Sequence, residues 1–425
     1  MQFTIPANSV NPASATVARL HGLDTLRGLA AILVVLLHTG IPYMVKPIPY
    51  LVWPARDMHP SLAVDATTWC TECFLMPLFF VLAGFFSQGL LVSRGERAFL
   101  VGRTKRILRT QVAAGATILP ICLGIWSLGW VADGLYVPQD IMNTGLPEEL
   151  AAETYGVGHL WFMQNLYIYC LILCGVSCLV KRVNPPGPTL MDTADSSMGG
   201  MDRVLSCFWK PLFPAIPCAL VLYWDLRIVL GFYQCYIPVL SKLLYYSIYF
   251  FLGATIYRHR ATLHLHARYS RTYLLMAGLL FVAMFPMIHE HLAEPLTGGR
   301  RALLAGLMAL FACVTTFGLL AAFLRYKICD NAATRYLAEA SFWVYLVHLP
   351  FVALAHIALV QLPVPTVGKF LIAGSTAMAL SLLTFQAFVR HTRLGSFLNG
   401  QHRSSKLEPL TAESESNKPV VAQAA

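Results

Sequence analysis

The chain has 425 residues, of which 57% are hydrophobic and only 12% are charged. Soluble domains carry about a quarter charged residues, so this chain has too few charges to cover a water-facing globule. Together with a mean hydropathy of +0.60, the composition excludes a soluble catalytic domain and predicts an all-α integral membrane protein. The net charge of +10 indicates topology and attraction to anionic lipid rather than nucleic-acid binding, because no groove-reading soluble surface is evident.

Apolar runs long enough to cross a bilayer of about 30 Å recur along most of the chain. They predict a polytopic bundle of about ten transmembrane helices, at residues 23–45, 70–92, 111–131, 157–180, 211–230, 238–257, 272–288, 302–324, 337–361 and 368–389. Residues 1–20 are polar and precede no cleavable signal, so they are expected to form a cytoplasmic N-terminal tail. Residues 401–425 are rich in Ser, Glu and Lys and predict a disordered cytoplasmic tail.

The basic residues are distributed unevenly between alternate loops. Most of the 31 Lys and Arg residues fall in the two tails and in the loop between the second and third spans. The loop at 132–156 has no basic residue, but contains Asp133, Asp140, Glu148, Glu149 and Glu153. Because basic loops remain in the cytoplasm, both termini are expected there, in a multi-pass protein of the cell inner (plasma) membrane.

The first span carries two basic residues on one helix face. Arg27 and His38 are eleven residues apart, which at 100° per residue places them on one face about 16 Å apart. Asp24 lies one turn before Arg27 and can pair with it. One interpretation is a cation near the cytoplasmic end and a titratable base in the outer half. The other is a snorkelling Arg and a hydrogen-bonded structural His, and the spacing alone favours neither.

The second span begins with a carboxylate and is followed by a basic stretch. Glu72 is expected near the outer surface at a depth similar to that of His38, although an interfacial carboxylate in water would look the same. The basic stretch at the cytoplasmic boundary contains Arg103, Lys105 and Arg106. Its plain interpretation is membrane anchoring, and its functional one is a site for a phosphorylated cytosolic ligand, since guanidinium groups match phosphate geometry.

Two later spans carry further polar side chains. The fourth begins with His159 at the outer boundary, followed by Trp161, which an aromatic belt would also explain. The ninth has Ser341, Tyr345 and His348 spaced four and three apart. Such a stripe is expected to face a polar cavity rather than lipid.

No metal site is predicted. Most cysteines lie within apolar spans, where they behave as small hydrophobic residues. His289 and His291 in a short outer loop, and Cys70 with Cys73 at a helix end, are weak metal signals compared with established ligand spacings.

These motifs, taken in order, resemble the acyltransferase-3 family of membrane acyltransferases. The family hallmark is an Arg followed after ten residues by a His in the first helix, here Arg27 and His38. FFVLAGFF at 79–86 is similar to the family segment F-F-x-x-S-G-F, with Ala83 in place of the usual Ser. GRTKRILR at 102–109, GHLWF at 158–162 and SFWVYLVHLP at 341–350 are similar to later signatures.

Within the family, the chain looks most like the branch that includes the glucans biosynthesis protein C. The similar segments include MPLFFVLAGFF, YYSIYFFLGATIYRH and TRLGSFLNG. The resemblance implies a membrane acyltransferase domain over residues 21–400. It implies transfer of an acetyl or succinyl group from cytosolic acyl-CoA, as co-substrate and not bound cofactor, to a hydroxyl of an extracytoplasmic polysaccharide or glucan.

Such a reaction assigns expected roles to these residues. An alcohol needs a base, and a neutral imidazole suits that role near pH 7, so His38 is the predicted base. Glu72 or another polar group is expected to orient it. The predicted catalytic set is His38, Arg27, Glu72 and His348; the donor set is Arg27, Arg103, Lys105 and Arg106; and the acceptor set is His159, Trp161 and Tyr345.

Two other classes of function remain open from the sequence. A secondary transporter exporting a glycan precursor or an organic acid would also have about ten spans and a polar pathway, although no inverted repeat is detectable. A non-enzymatic scaffold would leave the aligned Arg27 and His38 unexplained.

Overall fold

The computed structural model describes residues 21–135, 137–139, 145, 147–183, 207–260, 267–325 and 331–399. The two predicted tails, Asp140 and Gly400 lie outside these residues. Within them the chain is helical and contains no strand, as the composition predicts.

Thirteen α-helices are found in the described part of the chain. They are α1 (His21–Gly40), α2 (Leu62–Arg103), α3 (Arg109–Ala132), α4 (Glu148–Thr154), α5 (Trp161–Val183), α6 (Leu212–Trp224), α7 (Arg227–Leu230), α8 (Leu240–Arg258), α9 (Ser270–Ala293), α10 (Gly298–Arg325), α11 (Ala332–Leu359), α12 (Thr366–Thr384) and α13 (Arg393–Asn399). Short 3₁₀ turns occupy Ile41–Tyr43 and Gly158–Leu160, and π-helical turns occupy Thr104–Leu108 and Phe385–Val389.

Seven helical runs of the described residues are long and apolar enough to cross a membrane. They are Gly22–Tyr43, Leu62–Ala132, Gly158–Val183, Ala267–Ala293, Gly298–Arg325, Ala332–Leu359 and Thr366–Val389. This establishes a multi-pass helical membrane protein. The prediction of about ten spans differs from this number at two places in the chain.

The first difference is a single helical run of 71 residues, Leu62–Ala132, which contains two predicted spans. The run is interrupted at Gly95, whose backbone is non-helical with φ of 74° and ψ of 168°. A positive φ of this kind is readily adopted by glycine, since it has no Cβ to clash. The chain therefore changes direction at Gly95, between the two apolar stretches that the sequence separates.

The second difference concerns the predicted spans at 211–230 and 238–257. The first of these is the 13-residue α6, which ends before Asp225, where the extended backbone and the two-residue link to α7 break the helix. The second is the 19-residue α8, which includes Lys242 and several tyrosines and so is less apolar than the seven long runs. Neither α6 nor α8 is among those seven.

The closest helix packing joins α2 and α8 through two glycines. A Cβ built on Gly84 would overlap the carbonyl oxygen of Phe250, and one built on Gly253 would overlap that of Val81. Small residues let helix backbones approach closely, and in lipid such van der Waals packing is a main source of helix association. The α2–α8 contact therefore depends on the absence of side chains at Gly84 and Gly253.

We expect Gly253→Ala to destabilise the folded protein by about 1–3 kcal/mol, because an inserted methyl group forces backbone shifts in a packed interface. The measurement is the midpoint of thermal unfolding in detergent. Gly278→Ala is the matched control, since a Cβ there meets no atom within 4 Å and alanine is the better helix former. An equal midpoint for both variants would contradict the close approach of α2 and α8.

The loop between α1 and α2 is held by contacts with α12 and α3. Lys369 of α12 donates to Asp57 at 2.6 Å, and both side chains are buried. Removing one partner of a buried ion pair strongly destabilises the folded protein, because the other charge stays buried without a partner. The Nε1–H of Trp130 in α3 donates to the carbonyl oxygen of Val52 at 3.4 Å. The loop therefore lies over the end of α1 that carries His38.

Candidate active site

Two histidines from different helices meet near the C-terminal end of α1. Nε2 of His348, in α11, lies 3.3 Å from Nδ1 of His38, and the ring centroids are 4.9 Å apart. α1 packs directly along α11, which brings the two side chains together. Arg27 and His38 are eleven positions apart on α1, which is one continuous helix from His21 to Gly40.

The hydrogen-bond partners assign the protons of this pair. Nδ1 of His348 lies 3.0 Å and 2.9 Å from the carbonyl oxygens of Val344 and Tyr345. Carbonyl oxygens only accept hydrogen bonds, so this Nδ1 carries the proton and Nε2 is an acceptor. Nδ1 of His38 lies 2.8 Å from the carbonyl oxygen of Val34 and donates both there and to His348. The lone pair of His38 is therefore on Nε2.

The histidine pair borders a cavity of about 600 Å³. Six residues predicted for the site line it: His38, Glu72, His159, Trp161, Tyr345 and His348. Ligand pockets typically combine a mainly apolar wall with a few convergent polar groups. These six residues belong to α1, α2, the 3₁₀ turn before α5, α5 and α11.

One wall of the cavity follows α3 over most of its length. Val112, Leu119, Trp126 and Trp130 line it at spacings that repeat on one face of α3, and Leu108 of the preceding π-helical turn continues this wall. Val112 is 66% exposed and Leu123, which also lines the cavity, is 39% exposed. The cavity therefore reaches the outer surface of the helix bundle along α3.

Glu72 lies in the cavity but not against His38. In the part of the chain that the structure describes, no carboxylate oxygen lies within 4 Å of a His38 ring nitrogen, and the polar side chain in contact is His348. Glu72 instead interacts electrostatically with Lys242 of α8, which lines the same cavity. The side chain placed to orient His38 is therefore that of His348, and not that of Glu72, which was named first in the prediction.

Lys242 is a functional candidate that the sequence reading missed. Its side chain is 8% exposed, and its Nζ lies 3.6 Å from the ring centroid of Trp161. A cation over an indole face is held by the ring quadrupole. The ammonium group therefore covers one face of Trp161. A lysine near the start of a predicted span was the available signal, since charges within spans are rare and functional.

Two hydrogen bonds join His159 to α11, one from the side chain of Tyr345 and one to the backbone of Leu346. The hydroxyl of Tyr345 donates to the carbonyl oxygen of His159 at 2.7 Å. Nε2 of His159 donates to the carbonyl oxygen of Leu346 at 3.2 Å, which leaves Nδ1 as a buried acceptor. The ring lies 5.7 Å from that of His348. Ser341, the third member of the predicted stripe, donates to Ala338 in its own helix.

The basic cluster borders one end of the cavity but does not line it. Arg27 pairs with Asp24 at 3.3 Å, as predicted, and donates to the carbonyl oxygen of Ala338 at 3.2 Å. The positive charges of Arg103 and Arg27 both act on Arg106, so both lie within electrostatic range of it. Lys105 lies on the same π-helical turn as Arg106. Arg27, Arg103, Lys105 and Arg106 do not line the cavity.

Among known proteins, the chain matches one family. The acyltransferase-3 family model, described as an acyltransferase domain, matches residues 20–386. No curated protein matches the chain significantly, and no solved structure does so either. Because the family model covers most of the chain, the protein belongs to the acyltransferase-3 family and is a multi-pass membrane acyltransferase.

Proposed function

We propose that the protein moves an acetyl or succinyl group from cytosolic acyl-CoA to a hydroxyl of an extracytoplasmic glycan. The observation that carries this proposal is the His38–His348 pair, which borders the cavity with an unprotonated Nε2 on His38. A neutral imidazole held in one tautomer is suited to take a proton from an alcohol near pH 7.

The reaction is proposed as direct attack. Nε2 of His38 takes the proton of the acceptor hydroxyl as its oxygen forms a bond to the thioester carbonyl carbon. The imidazolium that results is stabilised by the Val34 carbonyl and by Nε2 of His348, which accept from Nδ1. The carbon–sulfur bond then breaks, and the leaving thiolate receives the proton from His38. This role for His348 corresponds to that of the carboxylate in a hydrolytic triad.

We also propose that the chain crosses the inner membrane ten times, with both termini in the cytoplasm. The 71-residue run supplies two crossings on either side of Gly95, and α6 and α8 supply two more, so seven runs become ten crossings. In support, Glu96 beside Gly95 pairs with Lys181 at the end of α5, whereas Trp126 near the other end of this run contacts Trp53 in the loop over His38.

The basic cluster is the proposed donor site. Arg27, Arg103, Lys105 and Arg106 lie toward the end of α1 opposite to His38, about 16 Å away along the helix axis. Phosphate groups match guanidinium forks, and the phosphates of acyl-CoA would remain on the cytoplasmic side. The thioester must then reach across this distance to His38, as the extended pantetheine part of the donor would allow.

Neutralising the cluster is expected to weaken use of the donor. Arg103→Gln combined with Arg106→Gln should raise the KM for acyl-CoA by about 3- to 30-fold, through loss of charge-assisted contacts to phosphate. The KM for the acceptor should not change. Arg300→Gln is the matched control. Arg300, near the start of α10, pairs with Glu290 near the end of α9, away from the basic cluster. If the KM for acyl-CoA were unchanged in the double variant, the cluster would not bind the donor and would serve only to anchor the protein in the membrane.

The function itself is tested in inverted membrane vesicles that enclose glycans. Radiolabelled acetyl-CoA and succinyl-CoA are supplied outside, and the glycans are analysed by mass spectrometry. We expect an ester-linked acyl group on a glycan, formed only when the donor is on the cytoplasmic face. That face is identified by a tag fused after Asn399, which added protease removes only if the tag is on the same side. Export of unmodified glycan would favour the transporter alternative, and transfer from the opposite face would contradict the proposed orientation.

A further inference from the structure

Two tryptophans at the outer end of the cavity have no part in the mechanism described so far. Trp53 lies in the loop between α1 and α2, and Trp126 lies in α3. Both line the cavity, and their ring centroids are 5.0 Å apart at an angle of 71°. Trp53 is half-buried and Trp126 is 8% exposed. The two rings form an edge-to-face pair, which is a preferred arrangement of aromatic rings.

The Trp53 ring is held in position by a buried histidine. Its Nε1–H donates to Nδ1 of His356, in α11, at 2.9 Å. Because Nδ1 accepts, the proton of His356 is on Nε2, which donates to the carbonyl oxygen of Thr39 at 3.1 Å. His356 is 1% exposed. Any rotation of the Trp53 ring would leave a buried acceptor without its partner, so the ring orientation is fixed.

This arrangement also fixes Trp53 relative to the base. Thr39 directly follows His38 in the last turn of α1, so His356 joins the loop to the helix end that carries His38. The ring centroids of Trp53 and His38 are 6.4 Å apart. A molecule in the cavity that contacts Trp53 therefore lies close to the ring of His38.

The ligand chemistry follows from these rings. One face of a pyranose ring exposes C–H groups and packs against indole, while the hydroxyl groups at its edge remain free to react. We propose that Trp53 and Trp126 form a subsite for one pyranose ring of the acceptor, with His356 as its positioning residue. This subsite rests on the proposed function, since it presents a ring hydroxyl to His38. Trp161, whose face is covered by Lys242, is not part of it.

The kinetic test uses variants of the full chain in lipid nanodiscs. Trp53→Leu removes the ring, and it should raise the KM for a glycan acceptor about tenfold by loss of aromatic contact. The KM for acyl-CoA should change much less, because the proposed donor contacts lie toward the other end of α1. Trp209→Leu is the matched control, because Trp209 is 59% exposed and does not line the cavity.

The positioning role of His356 has its own readout. His356→Phe keeps a ring but removes the acceptor, and should raise the glycan KM in the same direction as Trp53→Leu. His356→Asn places an amide oxygen near the position of Nδ1 and should restore much of the affinity. A structural role alone would lower kcat and raise the KM of both substrates in His356→Phe, with no recovery in His356→Asn, and that result would overturn the positioning role.

Direct binding separates this subsite from the proposed function. Isothermal titration without donor compares laminarihexaose, a linear β-glucan probe, with sorbitol, a polyol without a ring face. We expect wild-type protein to bind laminarihexaose and not sorbitol, and Trp53→Leu to bind it about tenfold more weakly. If Trp53→Leu bound laminarihexaose more weakly than the wild type, but the wild type acylated no glycan, the subsite would be retained and the proposed acyltransfer to glycan rejected. Normal acceptor KM in Trp53→Leu, or no laminarihexaose binding by the wild type, would overturn the subsite.

Discussion

His38→Ala is expected to lower kcat for glycan acylation by about 10²- to 10⁴-fold, which is the usual contribution of a general base. The substitution removes Nε2, the only ring nitrogen of His38 that is free to take a proton, and it removes the hydrogen bonds to Val34 and His348. The measurement is the initial rate of ester formation at saturating donor, with the amount of folded protein determined by size-exclusion chromatography.

His59→Ala is the matched control for this prediction. His59 lies in the loop over the end of α1, its side chain is exposed, and its backbone N–H and carbonyl oxygen form hydrogen bonds with Asp57 and Thr366. It should retain full activity. If His38→Ala retained most of the wild-type rate, His38 would not be the base, and the buried acceptor on His159 would become the next candidate.

The second large effect is expected at His348. His348→Phe preserves an aromatic ring but removes the acceptor for Nδ1–H of His38, so it should lower kcat by about 10- to 100-fold, the range for a hydrogen bond to a charged group. His348→Gln places an amide oxygen near the position of Nε2 and should recover part of this loss. The measurement is kcat under saturation by both substrates.

The comparison of the two His348 variants separates orientation from folding. Both replace a fully buried side chain in α11, so a general packing defect would reduce the folded fraction of both. Equal kcat values for the Phe and Gln variants would show that the Nδ1–Nε2 contact with His38 is not used in the reaction. Recovery in the Gln variant would instead support a role in stabilising the imidazolium.

Residues on a single helix were the ones best predicted from the sequence. Arg27 and His38 share α1, and Tyr345 and His348 share α11, so helical periodicity alone places each pair on one face. The span boundaries were also predicted for the most apolar helices. Gly95 interrupts the long helical run between the predicted spans at 70–92 and 111–131.

Contacts between helices and loops could not be predicted in this way. The pairing of His38 with His348, the position of Lys242 over Trp161, and the bond from Trp53 to His356 each join elements far apart in the chain. Periodicity reports the face on which a side chain lies but not which other element covers that face. Trp53 carried no signal at all, because it lies in a loop without a periodic pattern.

The open side of the cavity along α3 has a consequence for every measurement of substrate affinity. Val112 and Leu123 belong both to the cavity wall and to the outer surface of the bundle. Hydrocarbon tails of the surrounding lipid or detergent can therefore enter the space that substrates use, and each must leave before a substrate binds. Apparent Michaelis constants will then vary with the tail length and concentration of the amphiphile, and enzyme preparations are comparable only in the same lipid or detergent.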